Sequence, residues 1–136
     1  MTKKEILEQI KKNDVCVLAT CLNNNTEAAV MSYVADDNFV FYMVTSKFYR
    51  KYKNISKNKN VSVVIGFGMP TFQIDGKVEF LKQKEIELIR PFMVEKLPEE
   101  EEFMKAKDVV FIKVIPSYLK VTKIVSGEYK VTELKF

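Results

Sequence analysis

Apolar positions recur along this chain with two periods. Over residues 3–12, Ile6, Leu7 and Ile10 share one helical face, and Thr2 followed three residues later by Glu5 reads as a capping-box start. The pattern then changes. Residues 15–22 are apolar and β-branched, which predicts a strand, and Asn23-Asn24-Asn25 predicts a turn because asparagine tolerates left-handed backbone. Residues 27–34 and 39–45 read as two more strands about a hairpin turn at Asp36-Asp37-Asn38. Phe48, Tyr52 and Ile55 have i, i+4, i+7 spacing, so residues 47–58 read as a short amphipathic helix. Residues 61–67 follow as a strand.

The second half repeats these signals. Residues 71–81 alternate, with Phe72, Ile74, Val78 and Phe80 on one face. Gly76 interrupts that face and marks a bulge or a close backbone approach. Residues 85–97 are helical but contain Pro91, which is expected to kink the helix or start a new one. The acids at 99–102 read as a solvated first helical turn. Residues 109–115 predict a buried strand closed by Pro116, and residues 118–125 and 129–134 a last pair of strands around Ser126-Gly127.

Six to eight strands with few short helices, mostly joined by tight turns, predict a mainly β fold with antiparallel neighbours. Strands alternating aromatic and β-branched residues favour a small closed antiparallel barrel. Side chains fill a barrel of this size, so a large ligand belongs on an outer face or between subunits. A chain of 136 residues without repeat or linker is expected to form one domain over residues 1–136.

Composition changes this picture at one point. There is no histidine. That excludes Ser-His-Asp and Cys-His nucleophile pairs, imidazole metal sites and a histidine general base. Any chemistry must therefore use another proton carrier or a borrowed cofactor. Cys16 and Cys21 are the only cysteines, and in one strand they fall on opposite faces, which opposes a disulfide between them. Both read as small buried hydrophobes of a reducing compartment, and no metal site is expected. The first residues lack the apolar core of a signal peptide, and no apolar run approaches the roughly 18 residues of a membrane span, so a cytoplasmic protein without membrane partners is expected.

The formal charge of +4 is uneven: six basic residues and no acid lie between Lys47 and Lys59. Thr45 and Ser46 add hydroxyls, the helix start adds free backbone N–H groups, and Arg50 and Lys51 add charge. Together they suit a phosphate or another anion. Phe48, Tyr49 and Tyr52 interleave with these cations, which is also the pattern of a single-stranded nucleic-acid contact. Outside the segment, however, 16 basic residues face 18 acidic ones, so no broad basic groove and no nucleic-acid partner are expected.

Several pieces occur in a telling order: Leu18-Ala19-Thr20, an asparagine turn, a strand over 28–34, an acidic turn, a strand ending at Thr45-Ser46, then Arg50-Lys51, Asn54, Val61-Ser62-Val63 and Gln73-Ile74-Asp75-Gly76-Lys77. This string resembles the pyridoxamine 5′-phosphate oxidase-like family of FMN-binding split barrels, over residues 15–80 above all. The resemblance implies a small antiparallel split β-barrel and a homodimer with FMN at the subunit interface. Carried over by position, Arg50 and Lys51 would hold the phosphate, and Thr45 and Ser46 would bond phosphate or ribityl oxygens. Ala29, Val30, Met31 and Ser32 would run along the isoalloxazine, and Thr71 or Gln73 would reach the flavin from the side.

Where the chain departs from the family pattern, the implied function narrows. Residues 121–136 hold neither the arginine nor the histidine with which the true oxidase binds pyridoxamine phosphate. Branches that use a histidine for nitroimidazole reduction or haem degradation are disfavoured on the same ground. The expected function is thus an FMN-dependent oxidoreductase using a small-molecule electron donor or acceptor. The alternatives are a non-catalytic flavin-binding or sensing module and a deazaflavin in place of FMN.

Overall fold

The computed structural model describes residues 1–136. Helix α1 (Lys3–Lys12) starts where Thr2 Oγ1 accepts the Glu5 N–H at 3.1 Å, and it buries Ile6 and Ile10 in the main core. Strand β1 (Val15–Leu22) turns at Asn23 and Asn24, both with positive φ (50° and 66°), into β2 (Asn25–Ser32). Two left-handed residues in succession match the right-handed twist of a tight hairpin, and they hold the register from Leu22↔Asn25 to Val15↔Ser32.

At Tyr33 the chain changes partner. The expected single strand over 27–34 is two pairing segments, because β3 (Val34–Ala35) leaves β1 and pairs with β4 (Phe41–Ser46), Val34 opposite Tyr42. Tyr33 fixes the change. Its N–H donates to the Asp14 carbonyl at 3.0 Å, and its wholly buried hydroxyl donates to the Ile10 carbonyl at 2.5 Å. Phe39, expected to open the next strand, instead has φ 62° in the turn. Asp36 Oδ1 accepts the Asn38 and Val40 N–H groups there and delays the strand to Phe41.

Helix α2 (Arg50–Lys57) leads to β5 (Asn60–Ile65) and β6 (Thr71–Phe80). Helix α3 (Gln83–Lys96), a 3₁₀ turn (Pro98–Glu100) and α4 (Glu101–Met104) precede β7 (Val109–Val125) and β8 (Glu128–Lys135). The antiparallel sheet runs β2-β1-β5-β6-β7-β4-β3, with β8 on the distal half of β7. Since β3 continues the chain of β2, the two ends of this order meet, and the sheet curls into a small split barrel. The split lies between β2 and β4, beyond the short pairing of β3.

Two prolines behave differently from expectation. Pro116 does not close a strand; β7 runs through it. It sits where β7 changes neighbours, between the last β4 pair at Val114 and the first β8 pair at Tyr118, so no ladder bond is lost by its missing N–H. Ser117 is the extra residue of a bulge opposite Asp75 and Gly76, and its Oγ donates to the Asp75 carbonyl at 3.1 Å. Gly76 is needed here, since a Cβ would stand 2.5 Å from the Ile115 carbonyl oxygen. Pro91 likewise leaves α3 unbroken. Pro91 and Glu87, whose carbonyl it cannot bond, both lie on the exposed side, where water serves instead.

The main core fills the barrel with residues such as Leu18, Phe41, Ile65, Phe72 and Val114. A smaller cluster of Val34, Leu81, Met93, Leu97, Met104 and Phe111 seats α3 and α4 on the outside, next to the split. Cys16 is buried, Cys21 is partly so, and both are free thiols. No helix is long and apolar enough to cross a membrane.

Candidate functional site

An open seam in a barrel exposes backbone polar groups that need partners. From Met43 to Ser46 the β4 edge opposite β7 has no strand beside it, and β2 pairs only with β1. A cleft of about 270 Å³ occupies this seam. Its walls are Val30, Met31 and Ser32 of β2, Val44 and Thr45 of β4, and Tyr49 and Lys51 at the start of α2. Leu97, Glu100 and Phe103 form a lip from the far side of the chain. A wider hollow of about 450 Å³ lies on the outer face of β1, β5 and β6 beside Cys21, Ser62, Asp75 and Lys77. It holds no buried polar atom in want of a partner, so the seam is the better candidate.

Thr45 and Lys51 carry the chemistry of the cleft. Thr45 is 1% exposed, and its Oγ1 is the one buried side-chain polar atom without a hydrogen-bond partner. Leaving a hydroxyl so costs about 1–3 kcal/mol, which is hard to reconcile with a purely structural threonine. Lys51 is 9% exposed, and no carboxylate pairs with its ammonium. Its only partner is the face of the Tyr49 ring, 4.5 Å from Nζ. Buried cations are normally paired. A hydroxyl without a partner and a cation without a carboxylate, lining one cleft, are the kinds of donor an anion needs.

Local structure puts them there. Ser46 turns the chain from β4 to α2: its Oγ accepts the Phe48 N–H at 3.1 Å and donates to Asp108 Oδ2. Asn54, one turn after Lys51, donates from Nδ2 to Thr20 Oγ1 at 2.9 Å in the interior, and Asn58 Nδ2 donates to the Cys21 carbonyl at 3.0 Å. These bonds pin α2 to β1 and aim Lys51 inward. The helix has no side-chain N-cap and no acid in its first turn, so the positive end of its dipole adds to Lys51 rather than being neutralised.

Of the residues singled out from sequence, Val30, Met31, Ser32, Thr45 and Lys51 line the cleft. Ala29 lies on the same strand but not in its wall. The Ser46 proton is committed to Asp108, and Arg50 turns away to an ion pair between its Nε and Glu27 Oε2. Thr71 and Gln73 lie on β6, three strands along the sheet from β2. Thr71 Oγ1 donates to the Gly68 carbonyl, and Gln73 is exposed beside Val64 and Lys120 on the outer surface. Within one protomer neither residue reaches the seam. The lip residues Leu97, Glu100 and Phe103 escaped sequence reasoning; Glu100 reads locally as one more solvated acid.

The basic segment is also less exposed than its composition suggests. Lys51 is buried, Arg50 is paired, and Lys59 donates to the Ile55 carbonyl at 2.8 Å with the Phe80 ring 4.3 Å from its ammonium. The strongly shifted acids lie away from the cleft. Burial pushes the Cys16 thiol up to about 12 and the Tyr33 phenol upward as well. Burial, helped by the bond to Asp36, raises Tyr42 to about 12. None of them lines the cleft, whose charged side chains are Lys51 and Glu100.

This architecture has known relatives. The profile of the pyridoxamine 5′-phosphate oxidase family matches residues 2–123. No curated protein sequence matches the chain. Among solved structures, General Stress Protein 26 of Bacillus anthracis is 22% identical with a TM-score of 0.73, covering 97% of this chain and 100% of its own. An FAD-binding protein of Mesorhizobium loti is 19% identical with a TM-score of 0.71, covering 88% and 92%. A haem storage protein of Vibrio cholerae is 15% identical with a TM-score of 0.73, covering 84% and 89%. The split barrel, the seam beside β4 and the matched profile agree: this chain belongs to the pyridoxamine 5′-phosphate oxidase family.

Proposed function

We propose that the seam binds the phosphate end of FMN and that the protein is an FMN-dependent oxidoreductase other than a true pyridoxamine phosphate oxidase. The observation that carries this is the buried Thr45 hydroxyl without a partner, in one cleft with Lys51, whose ammonium has no carboxylate. Lys51 and Thr45 would hold phosphate or ribityl oxygens, and the free backbone edge of Val30–Ser32 would meet the polar rim of the ring. A bound flavin supplies hydride and electron transfer itself, so the chain need only position it and shape the surrounding charge. That suits a cleft without histidine. The same donors would accept a deazaflavin phosphate.

The second half of the reading is a homodimer. Thr71 and Gln73 cannot meet the seam of their own protomer, so their part in the site needs a second copy. Val30, at 71% exposure on the outer side of β2, is the kind of apolar residue that copy would cover. A small-molecule donor and acceptor would reach the ring from the open side, and the free thiols fit the cytoplasm as the compartment.

The test is an absorption spectrum of the purified protein, before and after added FMN, with mass identification of the released chromophore. Flavin bands and an FMN mass are expected. Haem absorption, or a colourless protein that does not take up FMN, would overturn the assignment. Tight FMN binding without turnover of any donor–acceptor pair would favour the carrier or sensor role instead.

A further inference from the structure

One wall of the seam takes no part in holding a phosphate. Of the four consecutive acids at 99–102, Glu99, Glu101 and Glu102 are exposed, but Glu100 is half-buried and lines the cleft between Leu97 and Phe103. Its place is fixed from both sides. Leu97 and Met104 are each 1% exposed and share one cluster with Met93 and Phe111, and the Glu100 N–H donates to the Leu97 carbonyl at 3.0 Å. The carboxylate itself is uncommitted. No cation pairs with it, and Lys51, which borders the same cleft, is beyond ion-pair reach. These two charged side chains of the cleft therefore cancel in net charge while standing apart. A round cleft of about 270 Å³ is about 8 Å across, so an anion at Lys51 and Thr45 stays within that distance of Glu100 and is repelled by it.

We propose that Glu100 selects ligands of this cleft by where their charge lies, opposing any anion across from Lys51. This rests on the seam being the phosphate-binding cleft proposed above. A cation at one wall and an acid at the other confine the negative end of a ligand to the β4–α2 wall, and uncharged or cationic groups suit the lip. The same acid holds the affinity for a phosphate-bearing ligand below what Lys51 and Thr45 alone would give. Discrimination of this kind comes from a built-in repulsion as much as from the attractive contacts.

Flavin fluorescence titrations of wild-type protein, Glu100→Gln and Glu100→Lys test this, with FMN and riboflavin as the two probes, each at low and at high salt. The series changes the lip charge stepwise in a side chain that has no partner to lose, and thermal melts check that each variant folds. FMN is expected to bind about threefold more tightly or better in Glu100→Gln, and more tightly again in Glu100→Lys. Riboflavin should stay within about twofold throughout, and the FMN gain should shrink at high salt. Weaker FMN binding in Glu100→Gln would overturn the proposal, because the carboxylate would then be accepting a hydrogen bond from the ligand. So would an equal change for riboflavin, which carries no phosphate. FMN bound no better than riboflavin in wild type and Glu100→Gln alike removes the phosphate site itself and the proposal with it. A preference for FMN that Glu100→Gln leaves unaltered removes the proposal alone.

Discussion

Replacing Lys51 by methionine should move stability and ligand affinity in opposite directions. Methionine preserves the packed aliphatic stem of the lysine and deletes the ammonium. An ion taken out of water costs several kcal/mol unless it is paired, and the Tyr49 face returns only about 0.5–2 kcal/mol of that. Lys51 is 9% exposed, but its ammonium still meets water at the cleft mouth, so most of the penalty is relieved. The net strain released is then no more than about 1 kcal/mol, which in a chain of this length raises the melting temperature by up to roughly 4 °C. Phosphate binding loses a charge-assisted hydrogen bond worth about 1.5–3 kcal/mol, so FMN affinity should fall about 10- to 150-fold. The assays are a thermal melt of protein free of flavin and a fluorescence titration with FMN, with riboflavin as the control lacking phosphate. A variant that melts lower than wild type and binds FMN as well as wild type would refute the argument. Lys51 would then be a structural residue stabilised by Tyr49, and the anion site would lie elsewhere.

The remaining predictions follow from single contacts. Thr45→Val should leave stability unchanged or raise it by about 1 kcal/mol, since the lost hydroxyl has no partner, while FMN binding weakens about three- to tenfold; equal losses in urea stability and affinity would show a hidden structural role. Gly76→Ala should lower urea-unfolding stability by about 2 kcal/mol or more, because its Cβ would meet the Ile115 carbonyl oxygen at 2.5 Å against a bulged strand that cannot retreat. Alkaline stability should fall steadily as pH rises from about 9 toward 12, because the Cys16 thiol keeps its proton to about 12 in the folded chain but loses it near 9.0 when unfolded. With fewer protons bound to the unfolded chain the slope is negative, at most about 1.4 kcal/mol per pH unit for this group. Cys16→Ala should flatten melts in that window, leaving the slope due to the raised Tyr33 and Tyr42, and an unchanged profile would exclude the thiol as a contributor.

Much of this protein is written in stretches of fewer than ten residues. The helix start at Thr2, the left-handed pair Asn23-Asn24, the tight approach at Gly76 and the whole run from Thr45 to Asn54 are legible in sequence. Each depends on neighbours a few positions away: a cap, a turn, a missing Cβ, a hydroxyl and a cation at the end of one strand and the start of one helix. The missing histidine likewise excluded imidazole chemistry before any fold was known.

Tertiary structure decided whatever depends on choosing a distant partner. Residues 27–34 read as one strand, but Tyr33 reaches Ile10 and Asp14 and divides it, and that division opens the seam. Pro116 looks like a stop until β4 and β8 exchange places beside it. Arg50 and Lys51 are adjacent cations of the same apparent role, yet Glu27 claims one and the interior takes the other. Glu100 became a wall of the cleft only because α3 and α4 pack on Val34 and Phe111. Thr71 and Gln73 sit on β6, three strands from β2 and two from β4, away from the cleft they were expected to serve. Local propensity is set by sterics within a few bonds and so can be read in order along the chain. Which edge is left open, and which charge is left unpaired, is settled by contacts between segments tens of residues apart, and in this protein those contacts made the site.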